Sequence, residues 1–441
     1  MIDNPSVLML WDDAGKVAST VKVNVDSLTR NSKFRVFQIA VFGKLPSGID
    51  LDRFDVIVVH YSLVLASDAY VNPDFRRRIR ESSAIKAVFV QDEYRFVERT
   101  IAAMREIGVD LLFTCVPEKE ISKVYSEVAL PGVQKVNVLT GYVDEALLGR
   151  KQPLYRDRKI DIGYRARRVP AWLGELGQEK WNIGQKVAID AFQYGLKVDL
   201  AYREEERLYG EDWFRFLSNC KATLGVESGA SVFDFSGRIQ SEVERAALEH
   251  PDWTFSELQR RYFLDLEGRI VLNQISPRCF EAAALKTLMI LYEGRYSDRL
   301  IPWRHYLPLK KDHSNFAEIV SVLRDEARVT EIVECAYREV ALNPDNSFKE
   351  FVRIFDDAVS RRLGSDYVVI SEPYSREEFL SIATQHDKLR AKSNRFRSLS
   401  TWAYFFLFGR VLGVTSEVFR DKVQLLLSKY MRGFFRKLLG R

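Results

Sequence analysis

The chain has 441 residues, 46% of them hydrophobic and 29% charged, with a formal net charge of +5. That is long enough for two domains of ordinary size, and the composition is that of a folded globular protein rather than a disordered one. The four cysteines (115, 220, 279 and 335) form no CxxC pair and the five histidines no HExxH, so neither a zinc site nor a disulfide framework is expected.

From the amino terminus, apolar β-like runs alternate with helical patterns. The strands expected are VLMLW (7–11), FRVFQIAV (34–41), DVIVVHY (55–61), AIKAVFVQ (84–91), VDLLFTC (109–115) and VQKVNVL (133–139). Amphipathic stretches at 95–107 and 117–127 lie between them. Near-continuous Val/Ile/Leu strands separated by helices predict a parallel sheet covered on both faces, a Rossmann-like α/β domain. An arginine-rich link at 147–159 interrupts the pattern, which restarts with IDIGY (160–164), KVDLAY (197–202), ATLGVE (222–227) and TLMILYE (287–293). Helices are expected near 181–195, 211–219 and 314–326, and later over 343–363 and 375–392. The expected organisation is an amino-terminal domain over 1–150, a second Rossmann-like domain over 151–380 with a charged helical insertion at 232–270, and a tail over 381–441.

Charge is unevenly placed. From Lys388 to Arg441 there are 13 Lys and Arg against 2 Asp and Glu, a net +11, which leaves the rest at −6. The tail carries Phe and Leu at helical spacing between cations, a pattern suited to an anionic membrane surface. A helix that packs on the body or mediates dimers is the alternative. Its aromatic residues cluster rather than alternate along a basic strand face, so nucleic acid is not expected as a partner. The first residues lack the basic start and apolar core of a signal peptide, which predicts a cytoplasmic protein, with the tail at the inner face of the membrane.

Several side chains sit where chemistry is expected. In SPRCFEAAALKTLMILYEG (276–294), Glu281 is a lone carboxylate at a proline-opened helix start, followed by three alanines. Its two oxygens can accept both hydroxyls of a vicinal diol such as a ribose. The plain alternative is a glutamate that favours the helix start and faces water. GVESGAS (225–231) offers Glu227 beside Ser228 and Gly229, small enough to bring backbone amides close to a phosphate or sugar. In GYRARRVPAWLGELGQEK, Arg165, Arg167 and Lys180 gather basic charge at the start of the second domain, in the plain reading a solvated basic loop. FVQDEYR (89–95) places Asp92 and Glu93 after a buried strand, where cleft residues lie, and His60 ends another strand. A carboxylate or imidazole there can serve as a base, and each reads equally as a cap or a satisfied core group. His305 and Tyr306 open the segment HYLPLKKDHSN (305–315). The absence of GxGxxG after the first strand counts against a nicotinamide dehydrogenase.

Over roughly 160–330 the sequence resembles the GT-B glycosyltransferases, enzymes of two Rossmann-like domains that use nucleotide-sugars. The likeness points to the spore-maturation-protein-like group of family 1 and family 4 type transferases. ISPRCFEAAALKTLMILYEG, HYLPLKKDHSN (305–315) and DIGYRARRVPAWLGELGQEK (161–180) carry it. It implies transfer of a hexosyl group from a nucleotide-sugar to a glycan or lipid-linked acceptor, in cell-surface polysaccharide or glycolipid synthesis. No metal and no cofactor beyond the donor are implied. Glu281 would bind the donor ribose, Arg165, Arg167 and Lys180 would offset the diphosphate charge, and His305 and Tyr306 would border the donor base. Retaining relatives carry a second glutamate eight residues earlier (E-x7-E), where this chain has Asn273; Glu227 would take that role, by its order along the chain. The broken spacing also suits a degenerate GT-B protein that binds a glycan or partner without turnover. A nucleotide-sugar epimerase is a third option.

Overall fold

The computed structural model describes residues 4–13, 19–370 and 372–404. The basic segment 405–441 and Gly15 lie outside the described residues.

The first domain begins β1 (Ser6–Trp11), α1 (Ser19–Asn31), β2 (Arg35–Ala40), β3 (Val56–Val59), α2 (Pro73–Glu81) and β4 (Ile85–Phe89). It continues through α3 (Val97–Ile107), β5 (Leu111–Thr114), α4 (Ile121–Val124) and β6 (Gln134–Asn137). Its strands form a parallel sheet in the order β2-β1-β3-β4-β5-β6. β1, β3 and β5 are buried at every position, because each sheet face is covered by helices and both sets of alternating side chains are withdrawn from water.

The second domain follows with β7 (Ile160–Arg165), α5 (Gly174–Gln193), β8 (Val198–Ala201), α6 (Gly210–Asn219) and β9 (Cys220–Gly225). The insertion carries α7 (Arg238–Glu249) and α8 (Phe255–Tyr262). Then come α9 (Pro277–Ala284), β10 (Leu288–Tyr292), β11 (Leu307–Leu309), α10 (Phe316–Arg324) and α11 (Glu326–Ala336). The second sheet is parallel in the order β11-β10-β9-β7-β8.

The chain ends its described part with α12 (Phe348–Leu363) and α13 (Arg376–Tyr404). The sequence span 151–380 puts α12 with the second domain, yet it packs on the first sheet. Phe351, Phe355 and Val359 join the core cluster of Met9, Phe89 and Phe113, with the Phe113 and Phe355 ring centres 5.6 Å apart. Asp356 fixes the register by accepting from the Ser32 hydroxyl at 2.6 Å and the Lys33 N–H at 2.9 Å. The segment after it also runs along the first domain. The Arg53 guanidinium lies 3.8 Å from the Tyr374 ring centre, and Phe379 packs on Phe37 and Phe54.

Candidate active site

Open parallel sheets bind ligands beyond their carboxyl strand ends, where the strand order reverses. In the first sheet that point lies between β1 and β3, and in the second between β7 and β9. A cavity opens at each. The first, of about 720 Å³, is lined by Thr20, Tyr61, Leu65, Asp92, Phe96 and Arg99 among others. The second, of about 390 Å³, lies against the ends of β7 and β9 and the start of α9. Asp92, Thr20 and Pro277 line both, so the two spaces meet at Asp92.

Asp92 sits in the turn between β4 and α3 with a left-handed backbone, φ 56°. Its neighbour Glu93 is buried and turned inward. It accepts from the Thr114 hydroxyl (2.5 Å), the Cys115 N–H (2.7 Å) and the Tyr125 hydroxyl (2.6 Å). Burial pushes the Glu93 carboxyl up to about 7 against the pull of those donors. Burial, with Asp92 beside it, holds the Tyr94 phenol un-ionised.

His60 belongs to the core. The Ser62 N–H donates to its Nδ1 at 3.1 Å, so Nε2 carries the proton toward Asn24 Oδ1 at 3.2 Å. Burial lowers its pKa to about 3, which leaves a poor base at neutral pH.

On the second domain's side, Ser276 caps α9 by accepting from the Arg278 N–H, and Pro277 takes the first helical position, where no N–H is needed. Glu281 is therefore the fifth helical residue and lies in the second turn, which corrects the expected first-turn placement. Its Oε2 accepts from the Trp213 indole N–H at 2.7 Å, and burial raises its pKa. Arg278 lies over the Trp213 ring, 4.9 Å from its centre, and donates to the Arg165 carbonyl. Lys180 lines the second cavity from α5; burial lowers its pKa while Asp92 pulls it the other way. Among the described residues its ammonium has no ion pair.

Of the residues singled out in the sequence, Asp92, Glu281, Arg165, Arg167, Lys180, Ser228 and Gly229 line this one cavity. Arg165 is engaged: its guanidinium pairs with Asp199 at 2.8 and 3.1 Å and lies 4.0 Å from the Phe216 ring centre. Arg167 is exposed.

Two expectations are corrected. Glu227 lines neither cavity. Its Oε1 accepts from the backbone N–H groups of Arg295 (3.1 Å) and Tyr296 (2.7 Å), and its Oε2 from Asn273 (2.7 Å). The carboxylate satisfies the open backbone of the 294–296 turn, so it has no oxygen turned to a sugar. Asn273, at the first position of the broken E-x7-E, donates to Glu227, a contact that the sequence order did not point to. His305 likewise lies outside the cleft. Its Nδ1 accepts from the Ile301 N–H at 3.1 Å and its Nε2 faces Glu339 at 2.9 Å.

Trp213 and the inward Glu93 brace carried no sequence signal, since their partners lie 68 and about 20–30 residues away in the chain. Arg278 had one: it falls two residues after the cap in the helix start that also holds Glu281.

No protein-family model matches the sequence, nor does any curated protein. Solved structures do match. An alpha-glucosyltransferase in complex with UDP and a 13-mer DNA containing an HMU base is 9% identical, with a TM-score of 0.50 over 81% of this chain and 99% of that one. The fold is that of the GT-B glycosyltransferases. The DNA-modifying beta-glucosyltransferase matches at 12% identity and TM-score 0.48, covering 80% of this chain and 99% of that one. The Anabaena protein HepE in complex with UDP and glucose matches at 7% and 0.44, covering 81% and 100%. The first of these holds DNA, so the exclusion of nucleic acid drawn from the clustering of aromatic residues is corrected: in that protein a GT-B chain has DNA as its partner. Among the described residues no helix is long and apolar enough to cross a membrane.

Proposed function

We propose that this chain moves a sugar, a hexosyl group, from a nucleoside-diphosphate donor held in the second-domain cavity to an acceptor hydroxyl held in the first-domain cavity. The observation that carries this reading is the placement of Asp92 on the wall shared by both spaces. Asp92 takes the proton from the acceptor hydroxyl, whose oxygen then bonds to the sugar's anomeric carbon. The bond from that carbon to the diphosphate breaks, and the diphosphate leaves with the electron pair. Lys180 and Arg167 offset the charge that it gains, in a cleft where such charges are weakly screened. Glu281 takes the ribose hydroxyls with the oxygen that Trp213 leaves open. This charge handling uses the chain's own cations and assigns no metal and no cofactor beyond the donor.

The spore-maturation-protein-like affiliation, a glycan or lipid-linked acceptor in cell-surface polysaccharide or glycolipid synthesis, and tail attachment to an anionic cytoplasmic membrane face belong to the same proposal, as do the domain spans 1–150, 151–380 and 381–441 apart from α12 and the segment to Phe379, which pack on the first domain. They rest on the sequence motifs and tail charge. UDP is the first nucleotide to try, since the alpha-glucosyltransferase named above is in complex with it. The test is release of UDP from UDP-sugars, with and without glycan, lipid-linked or DNA acceptors, for the native chain and Asp92→Asn. Loss of turnover in Asp92→Asn with donor binding intact supports the reading; full turnover ends it. A second reading, a GT-B chain that binds without turnover, draws on Asn273 in place of the first glutamate and on the engaged Glu227. Donor binding with no product from any acceptor, and no hydrolysis, would favour it.

A further inference from the structure

After β9 the chain leaves the second sheet, crosses to the first domain, and returns before α9. On the way out Phe233, and on the way back Ile270 and Leu272, are buried in the same core cluster as Val88, Val90 and Val97 of the first domain. The outward crossing lies along the turn that carries Asp92. The Asp234 N–H donates to the Tyr94 carbonyl at 2.7 Å, and the Glu98 N–H donates to the Phe235 carbonyl at 2.9 Å. Residues 95 and 234 pair as a parallel bridge.

The crossing is itself fixed. Asp234 is buried, and its carboxylate accepts from the N–H groups of Gly237 and Gln240, both at 2.8 Å. Gly237 has φ +87°, and a Cβ there would stand 2.2 Å from the Phe96 ring. Two non-glycine residues of the turn, Asp92 and Phe96, have left-handed backbones (φ 56° and 51°), a conformation that persists only where the surroundings impose it. Glu93 imposes it from within the first domain; residues 234–237 impose it from the second.

We propose that Asp234 and Gly237 are positioning residues for Asp92: the second-domain crossing clamps the 92–98 turn so that the carboxylate stays between donor and acceptor. This rests on the reading of Asp92 as the base. The same backbone begins at Ser228 and Gly229, which line the donor cavity, so the donor site and the base are set by one continuous segment.

The test compares Gly237→Ala, Phe96→Ala, the double variant and Asp234→Asn with the native chain, by amide hydrogen exchange and by UDP-glucose hydrolysis. Gly237→Ala is expected to speed exchange across 92–98 on the order of tenfold while β7 to β9 stay protected. It is expected to lower kcat on the order of tenfold to a hundredfold, with KM for UDP-glucose changed by less than about twofold. Removing the Phe96 ring should restore both readouts in part, the strain of a Cβ at φ +87° remaining, and Asp234→Asn, which keeps one of the two caps, should fall between. Unchanged exchange over 92–98, a rise in KM without a loss of kcat, or a loss that Phe96→Ala leaves wholly in place overturns the proposal. Asp92→Asn in the same assay separates the two claims. If that variant hydrolyses at full rate, the base assignment is wrong whatever the exchange shows. If it is dead while Gly237→Ala behaves as native in both readouts, the clamp alone is wrong.

Discussion

The Trp213 indole N–H reaches Glu281 Oε2 at 2.7 Å, and among the described residues Oε1 has no hydrogen-bond partner. One oxygen is thus pinned and the other faces the cavity. Glu281→Gln removes the charge and should weaken UDP binding by about tenfold, the loss expected of a charge-assisted hydrogen bond of about 1.5 kcal/mol, read by calorimetry. Because burial raises the Glu281 pKa, native binding should strengthen as pH rises through that pKa and the acceptor form fills. A pH-independent affinity would count against the carboxylate as the ribose ligand.

Lys180 keeps an ammonium in a place that lowers its pKa. Lys180→Met removes a charge whose desolvation has no ion pair among the described residues to offset it, and should stabilise the unliganded fold by about 1 kcal/mol. It should also abolish the stabilisation that UDP gives the native chain in thermal unfolding. Loss of stability together with retained UDP response would contradict the assignment.

The Glu93 carboxyl titrates near 7 when folded against an ordinary value of 4.5. Below pH 4.5 both states hold the proton. Between 4.5 and 7 the unfolded chain releases it first, so stability should fall as pH rises through that window, by up to about 3 kcal/mol. In Glu93→Gln this part of the pH dependence should vanish, as denaturant unfolding at pH 5 and pH 8 would register.

Gly229 has φ +116°, and a Cβ there would stand 1.7 Å from the Leu272 carbonyl oxygen. Backbone cannot swing aside as a side chain can. Gly229→Ala should therefore cost about 3 kcal/mol or more and lower the unfolding midpoint accordingly. A midpoint within 1 °C of native would show that the 228–231 loop has another conformation open to it.

With Glu227 bonded to the 294–296 turn and Asp92 on the acceptor side, displacement in one step is the route that the arrangement serves. An α-linked donor should then give a β-linked product, as the anomeric proton coupling of the product would report. An α-linked product would mean that a group other than Glu227 shields the sugar's far face.

The strands were legible because parallel sheets bury both faces and so write unbroken Val, Ile and Leu runs, such as Val56–Val59 and Leu288–Tyr292. Strand β11, only Leu307–Leu309, is too short for such a run. The helix start at Ser276 and Pro277 was legible as local chemistry, and Asp92 as a polar residue ending a buried strand. What failed was side-chain direction. Glu227 follows β9 as a cleft residue would, but its partners at 295 and 296 close the chain behind it. Arg165 ends β7 and meets Asp199 from the neighbouring strand. The placement of α12 failed for the same reason: its apolar stripe shows that it packs, and only the Phe113 and Phe355 contact shows on what.

That helix has a consequence for how the protein is made. Until residue 363 has left the ribosome, the amino-terminal sheet lacks the cover that Phe351 and Phe355 give Phe89 and Phe113, although every strand of it has been synthesised. The first lobe is therefore completed last, after the whole of the second, and a nascent chain halted near residue 340 would present a sticky aromatic surface to chaperones.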